Sequence, residues 1–228
     1  MKAYIIIFIA ALSSALCAQN YKVENISGAV RVLRGTSENY VKAIKGEALT
    51  PSDLIETGEK SSVSLKTEAG SFLLKENSAL SLNYLKSISR NDLILMLASE
   101  EIKSAPEKNK MQRGGSTAVY GANESAKANS NLTKSEMGLK RLNGAKQLAE
   151  SGFKESSILV AKDTYKKYPS TKDEASYRIF FADKLAELGL YDEAYSEFME
   201  ISALKLTAQE KETVSLRLET IKKKMIPN

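Results

Sequence analysis

The sequence predicts a two-part chain, all-β followed by all-α, and three observations carry that expectation. The first is a period-two alternation of apolar residues between Tyr21 and Leu74, closed repeatedly by Gly35, Gly46, Gly58 or Gly70. The second is a switch to a period of about 3.6 beyond residue 135. The third is the recurrence of one helical arrangement around Gly152 and again around Gly189, close to the period of a helix-pair repeat. The expected division is 1–18 signal segment, 19–123 β-domain, 124–135 linker and 136–228 helical domain with a C-terminal capping helix.

The chain opens MKAYIIIFIAALSSALCAQN. Lys2, the apolar run over 3–12 and the small residues before Gln19 form a secretory signal peptide, too short and wrongly flanked for a spanning helix. The expected location is therefore the periplasm or cell envelope of a bacterium. Cys17 is the one position open to a lipid anchor, and the bulky Leu16 before it argues against that chemistry. Membrane association is otherwise expected only through a partner.

Composition removes several function classes. The sequence has no His, and its single Cys falls inside the signal segment. The mature chain then has no disulfide, no His-based metal site, no Cys–His nucleophile pair and no Ser-His-Asp triad. No cofactor is expected. The 33 basic and 28 acidic residues are interspersed instead of massed, which reads as solvated faces and speaks against nucleic acid as a partner.

Taken in order, Tyr21 to Asn25 alternates with Val23 sharing a face with Tyr21, and Val30 and Val32 repeat that logic after Gly28. Tyr40 to Ile44 and Asp53 to Thr57 are the next candidate strands, and Val63, Leu65 and Thr67 against Ser62, Ser64 and Lys66 form another. Glu68, Ala69 and Gly70 turn that strand back into Phe72 to Lys75, a hairpin signal. The apolar runs 79–84 and 92–98 follow. The second is nearly continuous, which fits a strand buried on both sides, with a helix as the alternative. Residues 100–105 are expected to add a strand, 106–115 a polar loop and 116–123 a last strand.

The order G-x-V-x-V-x-x-G, K-G-x-x-L, D-x-I-x-T-G, A-G-S-x-x-x-L and a closing T-A-V-Y-G resembles the FecR-type periplasmic domain. Gly28, Val30, Gly46, Leu49, Asp53, Thr57, Gly58, Gly70 and Leu74 stand at the matching places over residues 22–124. At the end of the pattern, Tyr120 and Ala122 depart from the family's usual V-R-G-T. The resemblance implies an exported recognition domain with a cell-wall component or a protein as its ligand.

Residues 124–135 are small, polar and aperiodic, the composition of a linker. Beyond them Met137, Arg141, Gly144, Ala145 and Leu148 share one helical face, and Ser157, Ala161, Thr164, Tyr165 and Tyr168 share another until Pro169. Tyr177, Phe181, Ala182, Leu185 and Leu188 begin the second pair, which Tyr191, Ala194, Phe198 and Ile201 complete after Gly189. Val214, Leu218 and Ile221 are expected on the inner face of a terminal helix that covers the stack.

ELGLYDEAYSEFMEI resembles a tetratricopeptide repeat, and GFKESSILVAKDTYKKYP resembles a degenerate copy with Ser157 where alanine is usual. The resemblance implies a short groove that takes an envelope protein or peptide, lined by the first helix of each pair. Its expected contact residues are Leu142, Lys146, Ala149, Ser176, Ile179, Asp183 and Glu187. A plainer expectation is that the array only stacks on the β-domain or on a second copy of itself.

Asp53 with Glu56, and Glu68, are the carboxylates that a general acid–base reading would choose. Each is expected at a turn, in a capping or solvated role. Gly114 and Gly115 lack the rest of a phosphate loop. The leading expectation is a non-enzymatic envelope adaptor or scaffold. Its alternatives are a FecR-type periplasmic sensor or regulator and a cell-wall-binding or processing protein.

Overall fold

The computed structural model describes residues 21–68, 70–104 and 133–226. The signal segment with Cys17, the expected strand at 116–123 and residues 124–132 of the expected linker lie outside them. The described chain is mixed β plus α, with two antiparallel sheets followed by six helices.

Alternation becomes strand structure where one face meets a core. In β1 (Tyr21–Ser27), Tyr21 and Val23 are buried and Lys22 is exposed. In β2 (Val30–Leu33), Val30 and Val32 are buried. The remaining strands are β3 (Tyr40–Lys42), β4 (Ala48–Leu49), β5 (Leu54–Thr57), β6 (Ser62–Thr67), β7 (Gly70–Leu74) and β8 (Ala79–Ser81). They form one sheet of order β4-β1-β6-β7 and another of order β3-β2-β5-β8. Val63 faces Leu74 and Leu65 faces Phe72 across the β6–β7 hairpin, so the register keeps four apolar side chains inside. Val23, Leu49, Leu65 and Leu74 of one sheet share a core with Val32, Ile55 and Leu80 of the other, which makes the pair a small sandwich.

Asp53 fastens the loops at one end of this sandwich. Its carboxylate accepts from the backbone N–H of Thr50 at 2.9 Å, from that of Gly35 at 3.0 Å and from Arg34 Nη1 at 3.0 Å. Burial acts to raise its pKa, but the two backbone donors and Arg34 outweigh it and hold the carboxyl below its ordinary value. Glu56 departs from expectation. It lies within β5 and is 2% exposed, not at a turn.

The run 92–98 takes the helical alternative, and residues 100–104 of the expected strand continue it, so both lie in one helix, α1 (Arg90–Ser104). The local reason is a cap. Ser89 Oγ accepts the Asp92 N–H at 3.0 Å and donates to Asp92 Oδ2 at 2.7 Å, which favours helix initiation over an extended start. Burial is then one-sided, with Leu93 at 0% exposure and Leu95 at 69%.

The helical lobe follows as α2 (Lys134–Glu150), α3 (Lys154–Lys167), α4 (Ala175–Glu187), α5 (Tyr191–Ser202) and α6 (Ala208–Met225). Thr133 and Glu136 form a capping box that starts α2, so Lys134 and Ser135 belong to its first turn instead of a linker. Thr207 and Glu210 start α6 in the same way. Gly152 and Gly189 take φ of +92° and +72°, the left-handed conformation that lets each helix reverse into the next. The result is two helical hairpins and a terminal helix, with Val214 and Ile221 of α6 buried. Phe181 and Phe198 are core residues at 4% and 0% exposure, while Tyr177 and Tyr191 pack partly buried at its margins.

The two lobes share one core. Leu142, Ala145 and Leu148 of α2 and Val160, Ala161 and Tyr165 of α3 cluster with the buried residues of both sheets. Leu93 of α1 joins a second cluster with Ile158, Leu159, Leu185, Leu190 and Phe198, and Tyr84 packs against both. At Gly144 the backbone of α2 lies so near the Ala79 carbonyl that a Cβ would overlap it. Polar bonds fix the same seam. Gln147 accepts the Lys75 N–H at 2.6 Å and donates to Ser78 Oγ at 2.7 Å, and Asn143 Nδ2 donates to the Asn77 carbonyl at 2.8 Å.

Candidate protein-binding groove

The first helix of each hairpin supplies the expected contact residues, and the structure divides them. Leu142 is 0% exposed and Ala149 is 5% exposed, both in the interior. Neither offers a side chain to a partner in this arrangement. Lys146, Ser176 and Glu187 are exposed, and Ile179 and Asp183 are half-buried.

Lys146 of α2 and α4 meet at Phe180, which the sequence reading missed. The Lys146 ammonium sits 5.4 Å from the Phe180 ring centroid and Lys184 sits 5.0 Å from it, within cation–π range. Phe181 packs edge-on against Phe180, with centroids 5.1 Å apart at 88°. The exposed part of this surface is thus a half-buried ring between two cations. A signal for it existed in the i, i+4 spacing of Phe180 and Lys184 on one helix face.

The acidic members are already paired. Glu187 bonds Lys184 at 2.5 Å and Lys154 at 2.9 Å, and these hydrogen bonds hold its carboxyl below the ordinary range. Asp183 Oδ1 accepts from Arg217 Nε of α6 at 2.7 Å. They therefore fix helices to one another, and Lys184 is engaged by both Glu187 and the Phe180 ring.

Two buried carboxylates tie elements together and were not legible as such in the sequence. Glu56 accepts from Arg31 Nη2 of β2 at 3.1 Å and from Lys140 Nζ of α2 at 2.5 Å. Glu197 of α5 accepts from Arg178 Nε of α4 at 2.6 Å and from Lys162 Nζ of α3 at 2.7 Å. Burial acts to raise the Glu197 pKa, but the charge of Lys162 and the bonds from both cations outweigh it, and the carboxyl stays ionised below its ordinary value. In both, a buried carboxylate is engaged by two cations from neighbouring elements, which ties those elements together. Among the described residues no group of His, Cys, Asp or Glu has the arrangement of a metal site, and no helix is long and apolar enough to cross a membrane. No protein-family model, curated protein or solved structure matches this chain.

Proposed function

We propose that this chain is a non-enzymatic adaptor of the bacterial cell envelope, in which a FecR-like sandwich carries a short tetratricopeptide-like array to a protein partner. One observation supports this reading above the others. The hairpins extend the sandwich through a shared core and still leave one helical surface open, where Lys146, Ser176, Phe180 and Lys184 lie on the first helices of the two pairs. A rigid support with an open face that combines an aromatic ring and charged side chains is suited to hold a partner peptide or helix. The glycine turns at 152 and 189, with positive φ at both, support the repeat resemblance. Export rests on the signal-like character of residues 1–18.

The test is site-specific photocrosslinking in the native envelope from Ser176, which is exposed and free of the core. A discrete envelope protein crosslinked at Ser176, and lost when Lys146 and Lys184 are both changed to Glu, is the expected result. Crosslinks that are absent, or indifferent to those charges, overturn the groove as the adaptor's contact surface. A regulator of FecR type would instead crosslink from the sandwich, for example from exposed Leu73.

A further inference from the structure

Between the lobes lies a cleft of about 260 Å³, bounded by the β6–β7 hairpin, the segment ahead of α1 and the turn from α2 into α3. Its walls carry four hydroxyl residues, Thr67, Ser71, Ser87 and Ser151, together with Phe153. None of the described residues that line it is charged, although 27% of the chain is Asp, Glu, Lys or Arg. A cleft without charge in so charged a chain disfavours phosphates, nucleotides and acidic ligands, which need a counter-charge to leave water.

Two of these hydroxyls are open to a ligand, whereas that of Thr67 donates to the Gly70 carbonyl at 3.0 Å. Those of Ser87 and Ser151 are on exposed residues and make no hydrogen bond among the described residues, so each can donate and accept. Ser71 is set differently. Its hydroxyl donates to Glu24 Oε2 at 2.8 Å and lies 2.8 Å from Ser64 Oγ, so it is held on the sheet and offers no free donor. Phe153 adds an aromatic surface at the turn. The walls cannot drift apart freely, because Gln147, one turn before Ser151, is bonded to Lys75 and Ser78.

We infer that this cleft is a subsite for one unit of a neutral polyhydroxyl chain, that is, an uncharged glycan. Paired donor–acceptor hydroxyls, an aromatic face and no charge are what a sugar ring requires. The competing occupant is an extended peptide added to β7, the edge strand of its sheet. The structure disfavours it, since the Lys75 N–H that continues this edge is already held by Gln147 and the strand is only five residues long. The inference stands on the cleft and is independent of the adaptor reading.

Calorimetric titration of the full chain tests it, with tetramers of β-1,4-linked N-acetylglucosamine, β-1,4-linked glucose and α-1,4-linked glucose as neutral probes. A tetramer of α-1,4-linked galacturonate serves as the anionic counterpart. At least one neutral tetramer is expected to bind, and Ser87→Ala with Ser151→Ala to weaken it by about tenfold through two lost hydrogen bonds. The melting temperature should not change, because both serines are exposed. Ser151→Asp should abolish binding by placing an unpaired charge in the cleft. Failure of all three neutral tetramers, equal binding of the galacturonate, or an unchanged affinity in the serine variants each overturns the assignment.

Discussion

The seam between the sandwich and α2 and the seam between the two hairpins are each organised around one buried glutamate, yet they are built on different principles. At the first, Glu56 is 2% exposed while its partners reach outward, Arg31 at 36% and Lys140 at 14%. Around it, beside the apolar cluster that α2 shares with both sheets, the contact is set by glycine and by amide side chains bonded to backbone groups. At the second, Glu197 and Arg178 are both 7% exposed, and the surroundings are aliphatic and aromatic side chains from α3, α4 and α5. The first seam is specified by shape and direction, the second by burial. Position-specific contacts define one docking geometry, whereas apolar stacking tolerates repetition, as a helix-pair array requires.

Removing the carboxylate at the second seam should have the largest effect. Glu197→Gln leaves the Arg178 guanidinium buried against a neutral amide oxygen, with Glu200, itself 67% exposed, as its remaining carboxylate. The expected loss is about 3 kcal/mol in urea unfolding, the scale for breaking a buried pair. Replacing both partners, Arg178→Met with Glu197→Leu, should cost clearly less, and an equal cost would mean that packing and not charge holds this seam. The pH profile follows from the same group. Glu197 and Asp53 both have folded pKa values below their ordinary 4.5 and 3.8. The unfolded chain therefore binds protons first as the pH falls, and the stabilisation present above pH 4.5 is lost as the pH drops through those lower folded values. Melting temperatures measured from pH 7 downward should decline in that window, and the decline should be shallower in Glu197→Gln.

The shape-specified seam should respond to a single methyl group. In Gly144→Ala the new Cβ meets the Ala79 carbonyl, a backbone atom that cannot swing aside, so about 2 kcal/mol should be lost to overpacking. Gly46→Ala makes the contrast. Its φ is +85° but nothing lies within 4 Å, and the cost should be about 1 kcal/mol of backbone strain. If Gly144→Ala is as mild as Gly46→Ala, the close approach of α2 to β8 is not what fixes the lobes.

These seams also explain which parts were legible in the sequence. Apolar period alone located β1, β2, β6 and both hairpins, because each buries one face against its neighbours in order. It failed where a distant element covers the second face. Ile55 and Glu56 are consecutive and both buried, since Ile55 enters the sandwich core while Glu56 meets Lys140 of α2 on the other side. Alternation cannot register a helix arriving from another part of the chain. The repeat resemblance places Leu142 and Ala149 on a groove-lining face, and a repeat's spacing does not show that the sandwich covers that face here. Residues 92–98 were ambiguous for a different reason. A short continuous apolar run fits a buried strand or a helix equally, and the deciding bond between Ser89 and Asp92 lies at its edge.

The most direct comparison of the two glutamates carries a smaller effect than either seam variant above. Glu56→Gln keeps the shape and one acceptor oxygen, and both cations retain an outlet. Arg31 is more than one-third solvent-exposed and also stacks 4.9 Å from the Tyr40 ring, and Lys140 keeps the Thr57 carbonyl at 3.3 Å. The loss should be about 1 kcal/mol, discounted for the solvent that reaches the partners. Measured by the same urea unfolding as Glu197→Gln, it should be well below that variant's loss. An equal loss would mean that Lys140, and not Arg31, governs the cost, since Lys140 is the less exposed cation and the one that crosses between lobes. Lys140→Met alongside Glu56→Gln separates these outcomes, because the double variant recovers stability only if the stranded ammonium is the source of the penalty.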